Sequence, residues 1–295
     1  MLSLLSSLTI AQVPPPIVNG EATTEHPQVG VLYLDQPGSD WGFCSASLIA
    51  PQWILTAAHC IEAAASFDQE DLGFALTSDL RWDEAPLARV QIESWQTHPD
   101  WDGTWDEGGD LGVMKLAEPI TDVEPLALNT LPMEGWEGTE LVHVGFGVTS
   151  DGGKDSGTKR MATLPVQYVL DAAFISYKEG QNVCNGDSGG PSLLQDPQTG
   201  DWSIVGVAVA ATAYSGPDPC ADGQAGSTRV DLTGDWIAEA TYEPEPQDTG
   251  SVDTGDPTPP TEESSRLSCA QVPAQGVAWL GLLAGLGLLF RRRDP

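Results

Sequence analysis

Over most of the chain, apolar residues gather in short runs rather than recurring at helical spacing. Residues 29–34, 88–95, 111–116, 141–148 and 204–209 are such runs, separated by Gly, Pro and Asp. Segments this short and rich in β-branched and aromatic side chains read as strands. Many of them at close spacing predict an all-β barrel or sandwich between Ile17 and Tyr242. One amphipathic helix is expected at 232–240. It has Trp236 and Ile237 available for packing, and Asp231 or Thr233 at the cap position.

The pattern changes at both ends. Residues 1–11 form an apolar stretch ending in small residues, the shape of a shortened export signal; it lacks a basic n-region, and a buried strand is the other reading. Residues 12–16 would then be a propeptide. Residues 243–268 are rich in Pro, Thr, Ser, Asp and Glu, have almost nothing to bury, and predict an extended linker. Residues 272–290 are apolar apart from Gln275, and at 1.5 Å per residue they approach the roughly 30 Å of a bilayer core. Arg291, Arg292 and Arg293 follow, and positive charge on the cytoplasmic side would leave the body of the protein outside. A helix docked on the barrel is the alternative, but the segment shows no polar face.

Cys269, the apolar stretch and the Arg cluster resemble the tripartite C-terminal sorting tails of myxobacterial-type surface proteins. The resemblance implies that residues 269–295 anchor the chain transiently and meet a tail-processing enzyme at the cell surface. Without processing the same segment is a permanent membrane helix.

Size permits a substantial core, since the chain has 295 residues with 40% hydrophobic content. Charge excludes one class of partner. A net charge of -31, from 43 acidic against 12 basic residues, leaves no clustered Lys or Arg in the body to bind a nucleic acid. Five cysteines are present, and the four in the body suggest bridges in an exported chain. No calcium-loop pattern occurs, so no metal site and no cofactor are expected.

Candidate chemistry concentrates in three places. Gly186-Asp187-Ser188-Gly189-Gly190-Pro191 sets a hydroxyl in a glycine-rich turn, where backbone N–H groups can converge on one oxygen. A serine needs a base to be a nucleophile. His59, in Thr56-Ala57-Ala58-His59-Cys60, follows an apolar run, whereas His26, His98 and His143 are assigned no chemistry. Asp110 opens the run to Leu116, where a carboxylate sits at the mouth of a half-buried strand; Asp100, Asp102 and Asp106 read as solvated loop charges. An α/β-hydrolase would need its His after the Ser, and no histidine follows Ser188.

Together these blocks resemble the signatures of the chymotrypsin/trypsin-like serine proteases, in the same order, from Ile17 to the helix near Trp236. The resemblance implies two six-stranded antiparallel β-barrels with a C-terminal helix, and a serine endopeptidase acting through an acyl-enzyme. His59, Asp110 and Ser188 would be the triad, and the N–H groups of Gly186 and Ser188 the oxyanion hole. Activity should then rise with pH as the His59 imidazole loses its proton. Ile17-Val18-Asn19-Gly20 resembles the family's mature amino terminus, with Asn19 where Gly is usual, so a freed Ile17 amine would pair with Asp187. Release falls after Pro14-Pro15-Pro16, with no basic residue there, which implies a separate activating peptidase.

The same resemblance implies the bridges Cys44–Cys60 and Cys184–Cys220. The first would close a loop of about 15 residues and contribute on the order of 3 kcal/mol. By position, Asn182 would lie at the base of the substrate pocket, where trypsin-like members have Asp, with Ala211 and Ala225 on its walls. Small or medium uncharged residues before the scissile bond are expected in protein or peptide substrates. Val207-Ala208-Val209-Ala210-Ala211 departs from the usual Ser-Trp-Gly of that strand.

Overall fold

A two-residue strand, β1 (Glu21–Ala22), precedes six strands that close on themselves: β2 (Val29–Leu34), β3 (Trp41–Ala50), β4 (Trp53–Thr56), β5 (Leu72–Leu76), β6 (Ala88–Thr97) and β7 (Gly112–Leu116). In this computed structural model the described residues are 17–36, 40–81, 85–105, 108–214 and 216–243. The expected export signal, propeptide, sorting tail and nearly all of the linker lie outside them. Among the described residues, no helix is long and apolar enough to cross a membrane.

The first ring runs β2-β3-β4-β7-β6-β5, all antiparallel. Closure leaves no exposed edge and turns one face of every strand inward. Every side chain of β2 is buried, as are those of β5; Leu48, Ile54 and Met114 lie opposite one another on one face of neighbouring strands, and Leu55 is buried on the other face.

After the short β8 (Ala127–Leu128) come β9 (Glu140–Gly145), β10 (Arg160–Val169), β11 (Ala173–Ser176), β12 (Pro191–Gln195), β13 (Trp202–Ala213) and β14 (Gly223–Arg229). The pairing of β10 with β9 closes these six into a second antiparallel barrel, β9-β10-β11-β14-β13-β12. β1 adds to it on β10, and β8 lies parallel to β13. The two-barrel expectation is met. The runs at 29–34, 88–95 and 204–209 fall wholly on strands and that at 111–116 all but its first residue, whereas the run at 141–148 leaves β9 after Gly145; β13 extends past its apolar run by two residues at the start and four at the end.

Two α-helices and a 3₁₀ turn at Gln69–Asp71 complete the described body. α1 (Ala58–Ala64) lies where only an apolar run and a cysteine were read from the sequence. α2 (Gly234–Ala240) is the expected closing helix, shortened: Ile237 is buried and Trp236 packs on the core and against His98. Thr233 sits at its cap position without a capping bond, its hydroxyl donating to the Val230 carbonyl instead. One buried apolar cluster runs through both barrels, joining Phe74 and Leu55 of the first to Val144, Leu193 and Val207 of the second.

Candidate active site

His59 owes its place to α1 and to a residue 51 positions away. The first N–H groups of a helix have no partner within it. At α1 one of them, on His59, donates to Asp110 Oδ1 at 3.0 Å, and the other carboxylate oxygen, Oδ2, meets His59 Nδ1 at 2.8 Å. Asp110 is 1% exposed, just before β7, and Thr228 of β14 donates to its backbone carbonyl. One acid thus fixes both the backbone and the ring of the histidine. The Cys44–Cys60 disulfide, with an S–S distance of 1.94 Å, ties α1 to β3 directly beside it.

Ser188 stands in a turn that only glycines complete. Gly186 and Gly189 take φ values of +95° and +82°, in the left-handed region that L side chains avoid. A Cβ on Gly189 would also overlap Thr56 Oγ1 and the Ser45 carbonyl. The turn is tied by Asp187 N–H to the Cys184 carbonyl at 3.0 Å, Gly190 N–H to the Asp187 carbonyl at 2.9 Å and Gly189 N–H to the Ala208 carbonyl at 2.7 Å. The N–H groups of Gly186 and Ser188 donate to no described residue. The Cys184–Cys220 disulfide fastens the start of the turn.

Ser45 of β3 was not singled out in the sequence, yet it grips this turn from the first barrel. Its N–H donates to the Ser188 carbonyl at 2.8 Å and its hydroxyl to the Gly186 carbonyl at 2.9 Å, while that hydroxyl accepts from Phe146 N–H at 3.0 Å.

His59 and Ser188 line one cavity of about 250 Å³, together with Val183, Cys184, Asn185, Ala208, Val209, Ala210, Ala211 and Pro219. Ala211 is one of these lining residues. Asn182 and Ala225 are outside that lining set. Asn182 is buried with its amide donating to the Pro219 carbonyl at 2.8 Å, leaving its Oδ1 without a partner, and Ala225 packs beside Ile17, Ala162, Leu164 and Val183. Ala208, Val209, Ala210 and Ala211 of the lining come from β13, and Val183, Cys184 and Asn185 from the segment before Ser188.

Asp187 is 1% exposed, and its carboxylate accepts from Gly147 N–H at 2.7 Å and Cys184 N–H at 2.8 Å. Burial pushes its pKa up to about 6 against the pull of those two donors and of Arg160. Ile17 is fully buried, and Val18 bridges Asn182, so the start of the described chain is already seated in the second barrel. Asn19 takes a φ of +56°, a conformation that Asn tolerates better than most residues and Gly adopts freely. The remaining histidines do other work: His143 is buried against the Ser192 hydroxyl, its pKa driven down to about 4 by desolvation, and His26 stacks edge-on to Trp202.

A buried carboxylate that holds an imidazole, a serine on the same cavity and two unengaged N–H groups beside it make up what covalent acyl transfer requires. That is the equipment of a serine hydrolase built on two β-barrels. The trypsin family profile matches residues 17–237, well over half of the chain, and the chain belongs to this family of serine endopeptidases. Among its relatives, the brachyurin of Leptuca pugilator is 30% identical over 228 residues, covering 73% of this chain and 93% of that protein. A human chymotrypsin-like elastase family member 3B is 30% identical over 274 residues, covering 81% and 98%. A trypsin of Phaedon cochleariae is 29% identical over 217 residues, covering 68% and 79%.

Proposed function

We propose that Ser188 attacks the scissile carbonyl of a protein or peptide, with His59 as general base and Asp110 as the acid that orients it. The observation carrying this reading is the Asp110-held imidazole facing the cavity it shares with Ser188. Attack transfers the serine proton to His59 Nε2 and puts negative charge on the carbonyl oxygen, which the N–H groups of Gly186 and Ser188 receive. His59 then protonates the departing amine, and water, activated by the same imidazole, releases the acyl group.

The cavity wall supports a preference for small or medium uncharged residues before the cut. Val183, Val209, Ala210 and Ala211 present no charge to the cavity. The likeness to a chymotrypsin-like elastase family member points the same way. Activation follows when a separate peptidase frees Ile17, whose amine pairs with the buried Asp187 carboxylate. The enzyme works outside the cell or at its surface, held at least transiently by its C-terminal segment.

A fluorophosphonate probe tests the reading. It should label Ser188 in the processed protein, and Ser188→Ala should abolish labelling and hydrolysis together. Hydrolysis that survives Ser188→Ala would overturn it. A peptide set varied at the residue before the cut tests the preference: faster cleavage after Lys or Arg than after Ala or Val would contradict it. Amino-terminal sequencing of the active form should begin at Ile17; active protein beginning at Gln12 would refute the activation step.

A further inference from the structure

Arg160, the first residue of β10, is 5% exposed. Its Nη1 donates to three backbone carbonyls, those of Gly147 at 3.1 Å, Asp155 at 3.2 Å and Thr158 at 3.0 Å. Its nearest carboxylate oxygen in an ion pair is Asp155 Oδ2, at 3.9 Å, and its Nε is buried without a partner. Burying a guanidinium is costly, and the carboxylates of Asp155, Asp187 and Asp79 offset that cost by their charge without a close ion pair.

The peptide group joining Gly147 to Val148 receives Arg160 at its carbonyl, and its other end, Val148 N–H, donates to the Asn185 carbonyl at 2.9 Å. The Asn185 carbonyl belongs to the peptide group whose N–H is that of Gly186. That N–H donates to no described residue. A positive charge, two peptide groups and an unengaged donor therefore stand in series. Hydrogen bonds in such a chain polarise one another, on the order of 10–30% per bond in condensed phase. The Val148 N–H also pins the Asn185 carbonyl, so the Asn185–Gly186 peptide cannot rotate its N–H away.

We propose that Arg160 is a positioning residue of the oxyanion hole: through the Gly147–Val148 peptide it orients and polarises the Asn185–Gly186 peptide, aiming Gly186 N–H at the developing oxyanion. The inference rests on the reading of Gly186 and Ser188 as the oxyanion donors. A second arm runs from the same segment, because Gly147 N–H donates to Asp187 Oδ1. Arg160 thus steadies the turn on both sides of Gly186 without touching substrate.

The test compares the processed wild type with Arg160→Gln, which keeps a donor and loses the charge, and Arg160→Lys, which keeps the charge and loses the planar fork. Three quantities are measured: kcat and KM on a peptide amide, the Ki of a peptide aldehyde, which forms an oxyanion on Ser188, and the Ki of a product-like peptide, which does not. Arg160→Gln should lower kcat and aldehyde affinity by about tenfold, with KM and product-peptide affinity within threefold. Arg160→Lys should lose about threefold in the first pair and nothing in the second. Equal losses across all quantities, or wild-type aldehyde affinity in a folded variant, would overturn the proposal. If Arg160→Gln does not fold, the Lys variant carries the test, and equality with wild type in kcat and aldehyde Ki refutes the inference. If the wild type itself shows no aldehyde inhibition, the fault lies in the reading of the oxyanion hole and not in Arg160.

Discussion

Asp110 uses both of its carboxylate oxygens on His59, one on the backbone N–H at 3.0 Å and one on ring Nδ1 at 2.8 Å. The second contact places the ring proton on Nδ1 and leaves Nε2 as the acceptor. Replacing Asp110 by Asn keeps the size but lets the ring settle in the other tautomer. The variant should fold and bind substrate, with kcat reduced by about 10⁴-fold and KM little changed. Steady-state kinetics with a melting curve checks this; a loss confined to KM would contradict the assigned role.

Gly147 admits no side chain. A Cβ there would stand 2.7 Å from Asp187 Cγ and 2.8 Å from the Asn185 carbonyl oxygen, so Gly147→Ala must displace the turn that carries Gly186. A shift of an ångström at a reacting centre is worth about 10²-fold, and kcat should fall by about that much. Gly135→Ala, at a site open to solvent, controls for the loss of a glycine as such, although its φ of +80° adds strain of its own.

Ser45 satisfies two groups from opposite sides, the Gly186 carbonyl and Phe146 N–H. Ser45→Ala strands both in the interior, each at a cost of about 1–3 kcal/mol. Chemical denaturation should show a loss of about 2 kcal/mol or more, accompanied by a fall in kcat. Unchanged stability would mean that water replaces the hydroxyl.

The buried Asp187 gives the chain a pH dependence that the proposed pairing with a freed Ile17 amine would remove. Its folded pKa is raised to about 6, above the ordinary carboxylate value, so its favourable contribution is complete below about pH 4 and is lost as pH rises through 6. The loss is on the order of 3 kcal/mol by pH 7. An Ile17 ammonium beside it would stabilise the carboxylate and cancel that loss. The buried His143 has the opposite tendency, its lowered pKa costing stability as pH falls below the usual histidine range, but it is the same in both forms. The Tm difference between processed and uncleaved Ser188→Ala protein should therefore widen from pH 5 to pH 7. A constant difference would argue against the ion pair.

The disulfide beside His59 spans 16 positions, and its removal as Cys44→Ala with Cys60→Ala should cost about 3 kcal/mol of stability. Because Asp110 holds the ring independently, kcat at a temperature where the variant is folded should change by less than the stability does. Comparing activity and melting in the same preparation separates the two.

Strand runs, the closing helix and the serine turn were legible because their signals are local. Val29–Leu34 is apolar throughout because both its faces are covered, and Gly186 and Gly189 mark positions where only a left-handed backbone completes the turn. The helix under His59 was not legible. Ala57, at its cap position, supplies no side-chain cap, and its first N–H groups look for a partner 51 residues further on. The Asn182 amide donates to the Pro219 carbonyl, 37 residues distant, a contact no local pattern announces.

The sequence by itself determined that this chain forms short strands, carries an even set of body cysteines and presents Ser188 in a glycine turn with His59 and Asp110 before it. Each of those statements depends on neighbours within a few residues. Only the tertiary structure decided which cysteines meet, which β13 side chains line the cavity, and that Ser45 of β3 bonds the serine turn while Arg160 of β10 bonds Gly147 beside it. Those choices follow from barrel closure and register, which bring together groups that no local pattern connects.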